Sequence, residues 1–133
     1  MVIHTKKAPF DVIGYKNRDA TIIGAELKES KWKTSLSIVG PGAKGDGLQY
    51  HQLLALAELA FVGGTARLLW SNDGNIGAVR DMALVEILKT YQSALNAKRS
   101  GRRPQKGAMS IRWEAFKAVR PGGGMIADWL RPC

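Results

Sequence analysis

The sequence predicts an α/β fold, a mixed five-stranded sheet flanked by helices in the order β-β-β-α-β-α-β-α. Three observations predict it. Residues 1–39 hold short apolar or alternating runs separated by polar turns. Two later segments carry apolar residues at helical spacing. A short apolar run lies between those segments, and a strand–helix–strand order implies a parallel pair inside a mixed sheet. The chain of 133 residues fits one domain, 1–133.

The elements follow in order. Phe10-Asp11-Val12-Ile13-Gly14-Tyr15 is an apolar run closed by the polar turn Lys16-Asn17-Arg18-Asp19. Val2-Ile3-His4-Thr5 is a candidate for a further strand segment, which leaves the first full strand within 1–15 open. Ala20 to Leu27 is a second run, rich in β-branched residues, and Trp32 to Val39 is a third, with Leu36 and Ile38 alternating with Ser35 and Ser37. The short turns between them predict antiparallel hairpins. Gly40 to Gly47 is a glycine-rich connector without the Lys-Ser/Thr ending of a phosphate loop. Leu48 to Val62 predicts a helix with Tyr50, Leu53, Leu54, Ala57 and Phe61 on its apolar face, widened by Leu56 and Ala60 and closed by Gly63-Gly64. Ala66 to Trp70 is a short strand, and Ser71-Asn72-Asp73-Gly74 turns the chain.

Ile76 to Ala97 predicts a long helix with Leu84, Ile87, Leu88, Tyr91 and Leu95 facing inward. Residues 98–108 form a basic connector. Met109 to Val119 predicts the fifth strand, since Ile111 and Trp113 alternate with Ser110 and Arg112. Pro121-Gly122-Gly123-Gly124 breaks it, and Met125 to Leu130 predicts a short last helix.

Composition narrows the function classes. Apolar residues make up 45% and charged residues 23%, as in ordinary globular domains rather than disordered chains. No run approaches the ~20 apolar residues that a membrane span requires. The start, Met1-Val2-Ile3-His4-Thr5-Lys6-Lys7, lacks the layout of a secretory signal. The single cysteine, Cys133, allows no intrachain disulfide, and an intracellular, reducing compartment is expected. Charge is unevenly spread. Residues 1–97 carry 11 basic and 9 acidic residues, whereas 98–133 carry 9 and 2, so +7 of the net +9 sits in the last quarter. Such asymmetry suits a polyanion such as nucleic acid, or an acidic protein surface. Lys98, Arg99, Arg102, Arg103 and Lys106 are the candidate phosphate contacts, against the plainer alternative of a frayed, solvated loop.

The element order and several local motifs resemble ribonuclease H domains, most closely those attached to reverse transcriptases of retroelements. Val119-Arg120-Pro121-Gly122-Gly123-Gly124-Met125-Ile126-Ala127-Asp128-Trp129-Leu130-Arg131 is similar to the family's closing strand, Pro-Gly turn and Asn-x-Ile-Ala-Asp-x-Leu-like helix. Ile111-Arg112-Trp113-Glu114 resembles the fifth strand, Gln49 to Leu56 the first helix, and Leu68 to Asp73 the fourth strand with its terminal aspartate. Thr5-Lys6-Lys7-Ala8-Pro9-Phe10 echoes the Thr-Asp-Ala-Ser-Pro-aromatic start. The likeness covers nearly the whole chain in element order and is most specific at the C-terminus.

What the resemblance implies is cleavage of the RNA strand of an RNA–DNA hybrid by two divalent ions held on clustered carboxylates. This chain departs from that pattern. Lys6, Gln52 and Asn72 stand at three of the acidic positions; Asp128 keeps its carboxylate, and Asp73 serves only after a one-residue shift. Neutral amides and an ammonium hold Mg²⁺ poorly. The expectation is a degenerate scaffold without a metal or other cofactor, binding RNA–DNA hybrid or RNA duplex, or serving as a structural module of a ribonucleoprotein or reverse transcriptase assembly. The alternative is an active nuclease that uses Mg²⁺ or Mn²⁺ on Asp11 or Asp19 with Asp73 and Asp128. A third reading is a protein-interaction module docking an acidic partner. Glu58 lies six residues beyond Gln52 on the far side of its helix and cannot replace it. His4 and His51 read as structural, Asp73 also reads as a turn or cap residue, and Asp128 as an ion-pair partner. Trp32, Trp70, Trp113 and Trp129 read mainly as core, with base stacking as the alternative.

Overall fold

The computed structural model describes residues 2–3, 12–15, 22–40 and 47–119, with the backbone alone for 2–3, 12–15 and 117–119. The α/β class is observed. The first elements are β1 (Val2–Ile3), β2 (Val12–Tyr15), β3 (Ile22–Ser30), β4 (Ser35–Val39), β5 (Leu48–Gln49) and α1 (Tyr50–Phe61). Then come β6 (Thr65–Asn72), β7 (Asn75–Arg80), α2 (Asp81–Arg99), β8 (Ser110–Arg112) and α3 (Trp113–Val119).

Five strands form one sheet in the order β1-β2-β3-β6-β7. β1 and β2 pair antiparallel, as do β2 and β3, with Val12 opposite Ala25. β3 and β6 run parallel from Ile23 opposite Thr65 to Ser30 opposite Asn72. β6 is the best-buried strand, since Thr65 to Trp70 are all buried. A parallel strand covered on both faces reads as a nearly continuous apolar run, and Ala66-Arg67-Leu68-Leu69-Trp70 does so apart from its arginine.

Four sequence expectations require correction. The third run does not extend the hairpins. β4 leaves the main sheet because β6 occupies the edge of β3 that it would need. It joins a second sheet, ordered β5-β4-β8, parallel to β5 and antiparallel to β8. The long helix starts at Asp81 rather than Ile76, because 75–80 form β7. Asp73 and Gly74 have φ of +54° and +83°, the double positive φ of a two-residue type I′ hairpin, with Asn72 opposite Asn75. The run 109–119 is a strand only at 110–112. From Trp113 it is helical, and helical spacing puts Trp113 and Phe116 together over Gly77. A Cβ on Gly77 would stand 2.6 Å from that of Phe116, so this close approach requires glycine. Finally, Phe61 is 73% exposed; the buried face of α1 is Leu53, Leu56, Ala57, Leu59 and Ala60. The predicted helix 125–130 and the turn at 121–124 lie outside the described residues, as does most of the 40–47 connector.

The main core lies on one face of the large sheet. Leu68, Trp70 and Val79 meet Leu53 and Leu56 of α1, Leu84 and Leu88 of α2, Leu36 and Ile38 of β4, and Phe116 of α3. Trp70 is at its centre, fully buried and edge-on to both Trp113 (5.3 Å) and Phe116 (5.0 Å). Full burial of an aromatic side chain of this size contributes ~3 kcal/mol.

Both complete helices end in the same way. Gly63 and Gly101 take φ of +92° and +73°, and the bonds Gly64 N–H to Leu59 O and Arg102 N–H to Ala97 O close Schellman caps. Open space surrounds the missing Cβ of Gly63, so replacement acts through backbone strain alone. Gly63→Val is expected to destabilise the domain by about 1–2 kcal/mol, read as a lowered urea midpoint.

Candidate functional site

Side chains alternate along a strand, so the β3–β6 register sorts them into two faces. Glu26, Lys28 and Ser30 share a face with Leu68, Trp70 and Asn72, the face covered by α1. Arg67 points to the other.

Glu26 is a carboxylate only 3% exposed in the middle of a sheet, a position where acidic residues are rare unless paired. Its Oε1 accepts a hydrogen bond from Gln52 Nε2 on the first turn of α1. Gln52 in turn accepts the Gln49 N–H at 3.0 Å through Oε1, so its amide bridges the helix start to β3. Lys28, two residues along the same face, brings its ammonium to 4.0 Å from Glu26 and is itself mostly covered, at 18% exposure. The result is a buried carboxylate, a fixed amide and an ammonium at one strand–helix junction.

The other face carries a second buried charge. Arg67 is wholly buried, and its Nη1 donates to Asp81 Oδ1 at 3.0 Å and to the Ala66 carbonyl at 2.9 Å. Asp81 has φ +42°, a conformation that Asp tolerates, and the same Oδ1 accepts the Ala66 N–H at 3.2 Å. This pair ties the start of α2 to β6.

The residues singled out in the sequence separate into groups. Gln52 meets Glu26. Asn72 is buried at the far end of β6, where Oδ1 accepts the Ser30 hydroxyl (3.2 Å) and the Lys33 N–H (2.9 Å) while Nδ2 donates to the Lys33 carbonyl (2.8 Å). Trp70 Nε1 donates to Ser30 Oγ at 2.8 Å and completes this clamp on the loop after β3. Glu26 stands opposite Leu68, four residues before Asn72 and hence roughly 13 Å away along the strand. The positions of Gln52 and Asn72 therefore do not converge on one ion. Asp73 is exposed in the hairpin turn. His51 and Glu58 are exposed on α1. Lys6, Asp11, Asp19, Asp128, His4 and Trp129 lie outside the described residues. Among the described residues, no group of three or more His, Cys, Asp or Glu is placed to hold a metal, and no helix is long and apolar enough to cross a membrane.

The basic connector is built into the fold. Lys98 and Arg99 complete the last turn of α2, where cations complement the helix dipole. Arg102, Arg103 and Lys106 are exposed, while Ala108 is buried and the Met109 carbonyl accepts the Ile38 N–H at 2.8 Å. Two of the five cations thus lie on the last turn of α2 and three on the segment that leads to β8.

Among known protein families and curated proteins, the chain matches none. Its function is therefore argued from geometry.

Glu26 and Lys28 lie at none of the positions where the family resemblance implies acids. The signal was present: Glu26 interrupts an apolar, β-branched run, and such a charge inside a central strand needs a partner. Asn72→Ala is expected to cost about 1–3 kcal/mol by leaving the Lys33 backbone groups unsatisfied. Thermal and urea unfolding measure this loss.

Proposed function

We propose that this chain binds nucleic acid as a degenerate scaffold without a divalent-cation centre. The observation that carries the proposal is the basic segment 98–106, in which Lys98, Arg99, Arg102, Arg103 and Lys106 are all exposed, within a chain of net charge +9. Gln52 stands at a position where the ribonuclease H resemblance implies a carboxylate. The carboxylate beside it, Glu26, is 3% exposed, bonded to Gln52 and countered by Lys28.

The donor set at Glu26 does not fit a hard cation: one buried carboxylate, a neutral amide and an ammonium stand where Mg²⁺ or Mn²⁺ requires several anionic oxygens. Phosphate recognition falls instead to the surface. The net charge of +9 and the five basic side chains of 98–106 supply long-range attraction for the polyanion.

The narrower form of the proposal is a ribonuclease H-like domain that binds RNA–DNA hybrid or RNA duplex. It is supported by the parallel β3–β6 pair spanned by α1 and by the C-terminal motif. The antiparallel β7 and the separate β5-β4-β8 sheet depart from the element order that it implies.

A second reading, cation-dependent cleavage, is favoured by one observation: Glu26 brings a carboxylate beside Gln52, where the resemblance implies an acid. One experiment separates the two. Labelled single-stranded DNA, duplex DNA and RNA–DNA hybrid are incubated with Mn²⁺ or Mg²⁺. Intact substrates with measurable affinity support the binder. Cleavage lost at least a hundredfold in Glu26→Gln, with nucleic-acid affinity retained, supports the nuclease.

The connector makes a separate prediction. Arg102→Ala with Arg103→Ala is expected to weaken duplex binding and to reduce the slope of log affinity against log salt by roughly two. Fluorescence anisotropy across a salt series reads both effects.

A further inference from the structure

Away from Glu26, the second sheet carries a polar cleft of about 370 Å³. Thr34, Ser35 and Ser110 contribute hydroxyls to its lining, Lys106 and Arg112 positive charges, and Glu114 a carboxylate. Its walls are firmly placed. Ser35 and Arg112 are register partners in the β4–β8 ladder, and Trp113 N–H donates to the Thr34 carbonyl at 2.9 Å.

Beside the cleft stands an unusual surface aromatic. Trp32, two residues before Thr34, is 55% exposed, whereas Trp70 and Trp113 are 0% and 7% exposed. Trp113 supports it edge-on, with ring centroids 6.0 Å apart and planes at 75°. One edge of the Trp32 indole is thereby braced by the core while much of the ring stays open to solvent.

A cationic, hydroxyl-lined cleft next to a braced, exposed indole matches the two demands of single-stranded nucleic acid, a groove for the backbone and a platform for a base. We infer that this corner binds a single-stranded segment, with a phosphate between Lys106 and Arg112 and a base stacked on Trp32. The inference rests on the reading that the chain handles nucleic acid and deepens it by naming the strand state and a contact surface distinct from Glu26. Duplex offers no free base face, so Trp32 discriminates in favour of single strands, splayed ends and loops. Glu114 opposes a phosphate and limits affinity at this site.

The test uses a labelled oligothymidylate of about 12 nucleotides, in EDTA so that cleavage does not intervene. Binding is followed by anisotropy and by quenching of intrinsic tryptophan fluorescence. Trp32→Ala is expected to weaken binding about tenfold and to remove most of the quenching. Lys106→Ala with Arg112→Ala is expected to reduce the salt slope by about 1.4, and Glu114→Gln to tighten binding. Trp32, Lys106, Arg112 and Glu114 are all exposed, so unchanged urea midpoints confirm that the variants fold. Wild-type binding that Trp32→Ala and the double variant both leave unchanged overturns the cleft while the functional reading stands. A wild-type chain that binds neither oligothymidylate nor duplex overturns both.

Discussion

The parallel pairing of β3 with β6 is the constraint on which the rest of the structure depends. It runs through eight consecutive register partners and places a buried ionisable side chain on each face of the sheet. Glu26 emerges on the α1 side and Arg67 on the other, and neither can be left unpaired at low dielectric. Each recruits its partner from the helix that abuts its strand. Gln52 comes from the start of α1 and Asp81 from the start of α2. The two helix starts are therefore positioned by polar contacts as well as by the apolar core. A slip of one residue by either strand would carry its own charge to the opposite face and break that tie.

The same pairing explains where the chain turns away. Asn72 ends β6 opposite Ser30, and its amide satisfies the backbone of Lys33 in both directions. That clamp sends the chain out of the main sheet into β4 and so creates the second sheet. The exposed Trp32 lies within the clamped loop, and the cleft opens along β4 and β8. A residue that looked like a substituted metal ligand thus acts as the corner of the fold.

Legibility in the sequence followed the range of the interactions. The apolar spacing of α1, the positive φ of Gly63 and the β2–β3 hairpin were readable because their causes lie within a few residues. Ile76 to Val79 are equally at home in a helix or a strand, and the choice fell to pairing with β6 across the Asp73-Gly74 turn. That dipeptide is itself a hairpin signal, so the strand was recoverable. The helical state of Trp113 to Val119 was not, because alternation over so short a run fits both periods. There Trp70 and the bare backbone of Gly77 decided the outcome, both distant in sequence. The site divided in the same manner. The basic cluster is composition and was visible at once, whereas the Glu26–Gln52 contact joins residues 26 apart and needed the fold.

That contact also changes what an amide at Gln52 means. A glutamate there would face Glu26 at contact distance, and two carboxylates so close repel unless an ion or a shared proton intervenes. An amide removes the conflict. It donates a charge-assisted hydrogen bond to Glu26 and keeps its own oxygen for the helix start. Read one position at a time, Gln52 looks like lost negative charge. Read as a pair across β3 and α1, it holds one carboxylate in place with Lys28 beside it. The junction carries one carboxylate and one ammonium whose charges oppose each other, so an amide at Gln52 lets the start of α1 dock on β3 with no second negative charge to neutralise.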